Sequence, residues 1–301
     1  MTRQLAKAMP PMIAVIGPVR PELLSTWITH YRQLGVTRFH LAFHFPDHVG
    51  VLARERLLQT CRQHDITPGE ISTGPWHEHT NTYLRDRQRQ AAGPGWHLLS
   101  DSDEFHSYPA PVTQLLADAE QADTGTVGGL LLDRITTNGA LTACNWRKGL
   151  DAGYPLGGFL THRLLRGDPR KIVLAHSSVT VASGNHRAPG HRPVNRPPVV
   201  VHHFKWRAGI TDDLERRLSN FTDGTWQPAS PAVASEAHRL LSHLDHHNGL
   251  IALDQVLMPF RPVSMTTLPD WWAAEATQLV ATWRPPRSQK EPGSKISSPS
   301  P

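Results

Sequence analysis

Cysteine is scarce in this sequence: the 301 residues include two, Cys61 and Cys144. Two cysteines form at most one disulfide and cannot make a cysteine-rich metal site, which is typical of a protein kept in a reducing compartment. The chain also lacks any run close to the roughly 20 apolar residues that a membrane-spanning helix requires. Its N-terminal apolar run is too short for a signal peptide. We therefore expect a cytoplasmic protein that does not span a membrane.

The excess of positive over negative charge is also small. Lys and Arg total 31 and Asp and Glu total 26, which gives a formal net charge of +5. This excess permits an anionic partner but does not distinguish a nucleotide from a nucleic acid. With 39% hydrophobic residues, the chain can form one substantial core or two small ones.

Strand and helix patterns alternate along the first half of the chain. Met12–Ile16 predicts a buried strand, apolar residues at three- and four-residue spacing between Leu23 and Leu34 predict a helix, and residues 38–45 predict the next strand. This alternation favours an α/β fold with a mostly parallel sheet flanked by helices. Further helices are predicted at 51–63, 80–91, 112–119, 212–218 and 238–257, the last with a break near Asn248-Gly249. Further strands are predicted near Ile71 and at 96–99, 127–135, 171–174, 179–181 and 199–204.

Composition divides the chain into four parts. Residues 1–11 form an N-terminal extension, 12–220 form the α/β domain, 221–283 form a helical C-terminal region, and 284–301 are expected to be disordered because they are rich in Pro, Ser and Lys. Inside the domain, residues 138–198 are rich in Gly, Pro, His and Arg. That stretch predicts irregular structure that carries a binding surface.

Three carboxylates lie directly after a predicted strand, in the segment WHLLSDSDEF. Asp101, Asp103 and Glu104 would repel one another without a cation, and oxygen ligands of this kind suit Mg²⁺ or Mn²⁺. In extended backbone, Asp101 and Asp103 point to the same side and could share one ion. The carboxyl end of a strand is also where ligands bind in open α/β sheets. The alternative is that these acids cap a following helix or face solvent.

Several further motifs accompany the acidic segment in a fixed order along the chain. They are Arg20-Pro21-Glu22, a helix with Trp27, LGVTRF at 34–39, LLSDSDEF at 98–105, Lys171-Ile172-Val173, and His203-Phe204-Lys205-Trp206 followed by Asp212, Asp213 and Leu214. Together they resemble the GT-A glycosyltransferases of the family 2 type, in the subgroup with a DxDEF motif, over residues 12–218. The sequence departs from the family pattern at Pro21, where an Asn is usual, and at 44–48, which read HFPDH where relatives are rich in Asn, Ser and Asp.

The resemblance implies a fold of GT-A type, Rossmann-like, and a metal-dependent enzyme. Such an enzyme would move a sugar, expected to be a hexose, from a nucleotide-diphosphate donor to an acceptor that is a small molecule, a glycan or a peptide. Asp101, Asp103 and His203 are the expected ligands of a Mn²⁺ or Mg²⁺ ion. The residues expected to contact the donor are Arg20, Asp47, Asp101, Lys171, His186, Arg187 and Lys205.

An enzyme that inverts the anomeric centre needs a base to take the proton of the acceptor, usually a carboxylate. Asp151, in the glycine-rich stretch KGLDAGYPLGG, is the preferred candidate over Asp133 at a strand end. Glu104 would serve instead if its backbone turned it inward, although a carboxylate at a helix start is its simpler role.

Three other functions compete with a glycosyltransferase. Arg85, Arg87 and Arg89 favour a nucleic-acid-binding protein, although a solvated helix face explains them more simply. A catalytically inactive glycosyltransferase-like binding module would keep the fold without the activity. A metallohydrolase rich in histidine is suggested by His44, His48, His77, His79, His202 and His203.

Overall fold

The structure is a computed structural model that describes residues 9–227 and 231–284. Residues 1–8 of the predicted N-terminal extension and 285–301 of the predicted disordered tail lie outside the described residues. Within the described ranges, every helix is too short or too polar to cross a bilayer.

Four parallel strands form one half of the central sheet. Strand β1 (Met12–Ile16) lies between β2 (Phe39–Phe45) and β4 (Trp96–Leu99), and β3 (Glu70–Thr73) pairs with the outer side of β2. The chain runs outward from β1 to β3 and then returns to the other side of β1. The carboxyl ends of β1 and β4 therefore flank a topological switch point, the usual ligand crevice of such sheets. The connecting helices are α1 (Pro21–Gln33), α2 (Val51–Gln63) and α3 (Glu78–Ala92).

The other half of the sheet is mixed. Strand β8 (Arg170–His176) pairs antiparallel with β4, and β6 (Thr126–Ile135) pairs antiparallel with β8. Strand β9 (Val199–His203) pairs parallel with β6 and antiparallel with β5 (Glu104–Ser107). Strand β7 (Leu156–Gly158) pairs antiparallel with β6, and β10 (Arg261–Pro262) pairs antiparallel with β7 at the edge of the sheet.

The strand directions confirm the predicted fold class. Among the strands of the described residues, β5, β7 and β8 run against the other seven. The sheet is thus mostly parallel, and helices flank it. The remaining helices are α4 (Val112–Gln121), α5 (Gly149–Gly153), α6 (Leu160–Arg163), α7 (Ile210–Thr222), α8 (Ala232–His246) and α9 (Trp272–Thr282).

Two predicted elements need correction. The break predicted near Asn248-Gly249 is confirmed: α8 starts earlier than residue 238 and ends before Asn248 and Gly249, both of which have left-handed backbone (φ 53° and 78°). The helix predicted after the break is wrong, because residues 250–257 are irregular. The strand predicted at 179–181 does not form. Val179 and Val181 are nevertheless buried, because they pack in a cluster with Ile13 and Leu99 of the sheet. Their apolar character reflects burial and not strand pairing.

Two of the three arginines of α3, Arg85 and Arg89, have a structural role. Their interpretation as part of a solvated helix face is therefore wrong. Arg85 and Arg89 are 4% and 7% exposed. Arg85 donates to the carbonyls of Val181 and Ala182 and to Asn185 Oδ1, at 3.0 Å for the last. Arg89 donates to the carbonyls of His176 and Val179, at 2.8 and 2.9 Å. These bonds satisfy the carbonyls of an irregular segment, residues 176–185, that follows β8.

Arg85→Ala should destabilise the protein because it leaves buried carbonyl oxygens without donors. We expect a loss of about 2–4 kcal/mol in the free energy of unfolding, measured by urea titration. Arg87→Ala is the matched control on the same helix. Arg87 is 55% exposed and forms a surface ion pair with Glu70, so its loss should change stability little. Equal effects of the two substitutions would contradict the structural role of Arg85.

Candidate functional site

The acidic segment forms a tight turn between β4 and β5. The amide of Glu104 donates to the carbonyl of Asp101 at 3.1 Å, and Ser102 and Asp103 lie in the turn. Strand alternation therefore does not apply to Asp101 and Asp103, and the prediction that both point to one side loses its basis. Glu104 begins β5, so its predicted place at a helix start is wrong.

Helix α1 holds this turn through two aromatic side chains spaced one helical turn apart. The indole of Trp27 donates to the carbonyl of Asp101 at 3.0 Å. The hydroxyl of Tyr31 donates to Ser100 Oγ at 2.8 Å and to the carbonyl of Glu104 at 3.1 Å. Both aromatic residues are fully buried. A residue spacing of four places them on one helix face, which is why one helix reaches both ends of the turn.

A buried lysine neutralises two of the three carboxylates. Lys171 of β8 is 3% exposed, and its Nζ lies 2.9 Å from Asp101 Oδ2 and 2.7 Å from Glu104 Oε1. The same Nζ donates to the carbonyl of Gly184 at 2.7 Å. An ammonium group has three donors, and all three are used inside the protein. Lys171 thus directs its donors at the protein, and its contact with a donor substrate stays a prediction.

The two neutralised carboxylates differ in exposure and in proton affinity. Glu104 is 2% exposed, whereas the side chain of Asp101 is 45% exposed. Burial raises the pKa of Glu104 to about 7, with Lys171 opposing the rise. Burial also acts to raise the pKa of Asp101, but Lys171 outweighs it and the pKa is lowered. Asp101 thus stays ionised at the rim of the turn, and Asn185 Nδ2 lies 3.4 Å from its Oδ1.

His203 is oriented by a buried carboxylate. Its Nδ1 lies 2.8 Å from Oδ1 of Asp133, which is fully buried and also accepts from the indole of Trp206 at 2.7 Å. The backbone amide and hydroxyl of Thr161 donate to the same carboxylate. Burial acts to lower the pKa of His203, but Asp133 and Asp103 outweigh it and the pKa is raised. This arrangement leaves Nε2 of His203 for a ligand.

Asp103 is the carboxylate of the motif that stays unpaired. Its side chain makes no hydrogen bond or ion pair within residues 9–227 and 231–284, although its carbonyl accepts from the amide of Phe204 at 2.8 Å. In the same residues, no three His, Cys, Asp or Glu side chains form a ready metal site. Asp101, Asp103 and His203 are therefore not assembled as one set of three ligands. Asp103 and His203 are the two with uncommitted ligand atoms.

A polar cavity of about 650 Å³ opens beside the carboxyl end of β1. Arg20, just before α1, lines it together with Arg56 of α2 and Arg207 after β9. Arg207 also donates to the carbonyl of Phe204. The amide of Phe204 donates to the carbonyl of Asp103, so the backbone of Phe204 links Arg207 in the cavity wall to the acidic turn.

The other predicted donor contacts are scattered. Asp47 is exposed after β2, and Arg187 is exposed and pairs with Asp168 at 3.7 Å. His186 Nδ1 bonds to the carbonyl of Arg170, and burial lowers the pKa of His186 to about 4. Lys205 is half-buried, with its Nζ 5.0 Å from the ring centre of Trp206. Burial, reinforced by the charge of Arg217, lowers the pKa of Lys205.

The preferred catalytic base, Asp151, is committed elsewhere. Its Oδ1 accepts from the buried guanidinium of Arg134 at 2.8 Å, and its Oδ2 accepts from Ser264 Oγ at 2.8 Å and the amide of Met265 at 3.0 Å. Both oxygens are therefore used to hold the segment after β10 against α5. These contacts give Asp151 a structural role, and its role as the base stays a prediction.

The histidines do not gather into a metal centre in the described residues. His202 and His203 face opposite sides of β9, as strand geometry predicts: His202 lies 3.1 Å from Ser107 Oγ and 3.0 Å from a nitrogen of Arg134. His44 lies 3.2 Å from Ser72 Oγ. The side chains of His202 and His44 are thus bonded within the sheet, which removes the support for a histidine-rich metallohydrolase.

Sequence reasoning missed an aromatic cluster at the carboxyl ends of β2 and β3. The rings of Trp76, Phe221 and Trp226 lie 5.8–6.3 Å apart, and His48 lies 6.0 Å from Trp226. The guanidinium of Arg217 sits 5.5 Å from the ring of Trp76, and its Nε is buried with no hydrogen-bond partner. The members come from three distant segments, so no local pattern marks the cluster.

Comparisons with known proteins give weak similarities only. No protein-family model and no curated protein sequence matches the chain. Staphylococcus aureus TarS 1–349 in complex with UDP-GlcNAc is 10% identical, with 79% of this chain and 73% of that chain covered and a TM-score of 0.34. Mannosyltransferase PcManGT from Pyrobaculum calidifontis, in complex with GDP-Man and Mn²⁺, is 13% identical, with coverages of 80% and 73% and a TM-score of 0.37. HddC from Yersinia pseudotuberculosis is 6% identical, with coverages of 46% and 65% and a TM-score of 0.25. Similarities this low do not establish an activity, so function is inferred from the residues of this chain.

Lys171→Met should destabilise the fold because it leaves two carboxylates at the turn without their counter-ion. We expect a loss of about 3–5 kcal/mol in the free energy of unfolding at neutral pH. Without the lysine, folding must protonate buried carboxyl groups, so the variant gains stability relative to wild type as the pH falls. Urea titrations should therefore show a smaller difference in the free energy of unfolding between Lys171→Met and wild type at pH 5 than at pH 8.

Lys148→Met is the control, because Lys148 is exposed. If the difference in the free energy of unfolding between Lys171→Met and wild type were the same at both pH values, Lys171 would not act as the counter-ion of these carboxylates.

Proposed function

We propose that this protein is a metal-dependent glycosyltransferase of GT-A type that transfers a sugar, expected to be a hexose, from a nucleotide-diphosphate donor to an acceptor nucleophile. The observation that supports this proposal is the pair of features at the topological switch point, an acidic turn and a cavity with an arginine. The carboxyl end of β1 leads to a cavity lined by Arg20. The carboxyl end of β4 leads to an acidic turn whose Asp103 has no partner among residues 9–227 and 231–284. A crevice with this position and chemistry suits a ligand with phosphate groups and a divalent ion.

Cationic and aromatic groups line the same edge of the sheet in an order that fits a nucleotide donor. Arg20, Arg56 and Arg207 provide positive charge in a cavity large enough for a cofactor-sized ligand. The aromatic cluster around Trp76 offers a surface on which a nucleobase can stack, with Arg217 beside it. Binding of the diphosphate near the turn would place the sugar toward β9.

The residues present fit a divalent ion with few protein ligands. Asp103 and Nε2 of His203 would hold it, and Asp133 would fix the imidazole orientation, as carboxylates commonly do for metal-bound histidines. Mg²⁺ and Mn²⁺ sites that bind phosphates often use one or two carboxylates and complete their shell with water and substrate. A bound ion would stabilise the negative charge that develops on the leaving diphosphate. Asp101, partly exposed and held ionised by Lys171, would shape the rim of this site.

Asp103→Asn should abolish metal-dependent donor binding without unfolding the protein. A panel of UDP- and GDP-sugars is added with and without Mn²⁺, and the melting temperature and the release of nucleoside diphosphate are measured. Wild type should gain melting temperature with one donor plus Mn²⁺. The variant should lose that gain, and its turnover should fall by about 100-fold or more.

The exposed Asp123→Asn is the matched control and should behave as wild type. A wild-type protein that responds to no nucleotide sugar would refute the donor class. An Asp103→Asn variant with full turnover would refute the metal role.

A further inference from the structure

Glu236 of α8 is a carboxylate without a partner near the end of β9. It is half-buried and makes no hydrogen bond or ion pair in the part of the chain that the structure describes. Two neighbouring carboxylates are engaged, Glu104 with Lys171 and Asp133 with His203, and the unpaired Asp103 is the proposed metal ligand. Partly buried polar groups in folded proteins are usually paired, so an unpaired carboxylate at the edge of a proposed site calls for a functional explanation.

Packing of α8 brings Glu236 to the same end of the sheet as His203. Leu240 and Ala237 of α8 are buried in one cluster with Trp206 and Leu160. This packing fixes the helix over the segment that carries Thr161 and Gly167, α6 and the residues after it.

The carboxylate itself can be located through Gly167. A Cβ on Gly167 would lie 2.7 Å from Glu236 Oε1 and 3.1 Å from the methyl carbon of Thr161. Thr161 donates two hydrogen bonds to Asp133, and Asp133 accepts from His203. Glu236 therefore adjoins the Thr161–Asp133–His203 chain of contacts. It approaches from the α8 side, whereas the cavity proposed for the donor lies beside β1.

Charges from every element around Glu236 act on it. Burial raises the pKa of Glu236, and the charges of Lys205 after β9, Arg239 on α8 and Arg217 on α7 oppose the rise, while Asp133 on β6 adds to it. Arg239 is itself bonded to the carbonyl of Leu165. A carboxylate with a raised proton affinity that is still reachable from solvent has the properties of a general base.

We propose that Glu236 is the general base of the transfer, an inference that rests on the proposed function. The Glu236 carboxylate takes the proton of the acceptor O–H group, and the acceptor oxygen forms a bond to the anomeric carbon of the sugar. The bond from that carbon to the diphosphate oxygen breaks, and its electron pair leaves with the nucleoside diphosphate. Direct displacement requires the base and the leaving group on opposite sides of the sugar, so the donor must bind with its anomeric carbon between the cavity beside β1 and Glu236.

Glu236→Gln tests this role with water as the acceptor. The probe is the nucleotide sugar that raises the wild-type melting temperature most in the presence of Mn²⁺, and the readout is release of nucleoside diphosphate across a range of pH. We expect a fall of about 100-fold or more in kcat and loss of its rise with pH. The donor-induced rise in melting temperature should be unchanged. Asp245→Asn, an exposed acid on the same helix, should match wild type.

Glu236→Ala with sodium azide separates a base from a structural residue. Azide is a nucleophile with no proton to lose, so it should restore release of nucleoside diphosphate in this variant and yield a glycosyl azide. Wild-type kcat in Glu236→Gln would overturn the assignment while leaving the proposed function intact. Joint loss of donor binding and turnover, with no rescue by azide, would also overturn it. A wild type that neither binds nor cleaves any nucleotide sugar would overturn both proposals.

Discussion

The buried ammonium of Lys171 is the interaction on which the site depends. It joins β8 to the acidic turn, through Asp101 and Glu104, and to the carbonyl of Gly184. The two carboxylates of the turn would otherwise repel each other. Because Lys171 neutralises them, the chain can turn sharply between β4 and β5, and Asp103 keeps its carboxylate unpaired among the residues that the structure describes.

This turn sets the order of groups along the carboxyl edge of the sheet. The aromatic cluster lies beyond β2 and β3, the arginine-lined cavity lies beside β1, and His203 with Asp133 lies at the ends of β9 and β6. The aromatic and arginine groups come from loops and helices that follow β1, β2, β3 and β9, whereas His203 and Asp133 belong to the strands β9 and β6 themselves. The parallel strands thus gather chemistry from distant parts of the chain at one edge, which is the physical basis for a glycosyltransferase proposal.

Local sequence patterns predict most of the longer helices and strands and the position of the acidic motif. The strand and helix alternation predicted the α/β fold class, and Asp101 was placed correctly after a buried strand. Alternation in VVVHH also predicted that His202 and His203 face opposite sides.

Partners distant in the chain could not be predicted in this way. Lys171 meets Asp101 across 70 residues, and Asp151 meets Ser264 across 113, so no local pattern shows that these charged groups are already engaged. Strand β5 was missed because its four residues follow three acids or small polar residues in a turn and carry no alternation of their own. Its pairing with β9, a strand nearly a hundred residues later, is what makes it a strand.

A crystal structure of the protein with Mn²⁺ and a nucleoside diphosphate is the sharpest test of the proposed metal and donor site. We expect the diphosphate at the switch point between the ends of β1 and β4, with the ion on Asp103 and His203 and the Lys171 ion pairs unchanged. Density for the nucleotide at another surface, or an ion that displaces Lys171 from Asp101, would contradict it.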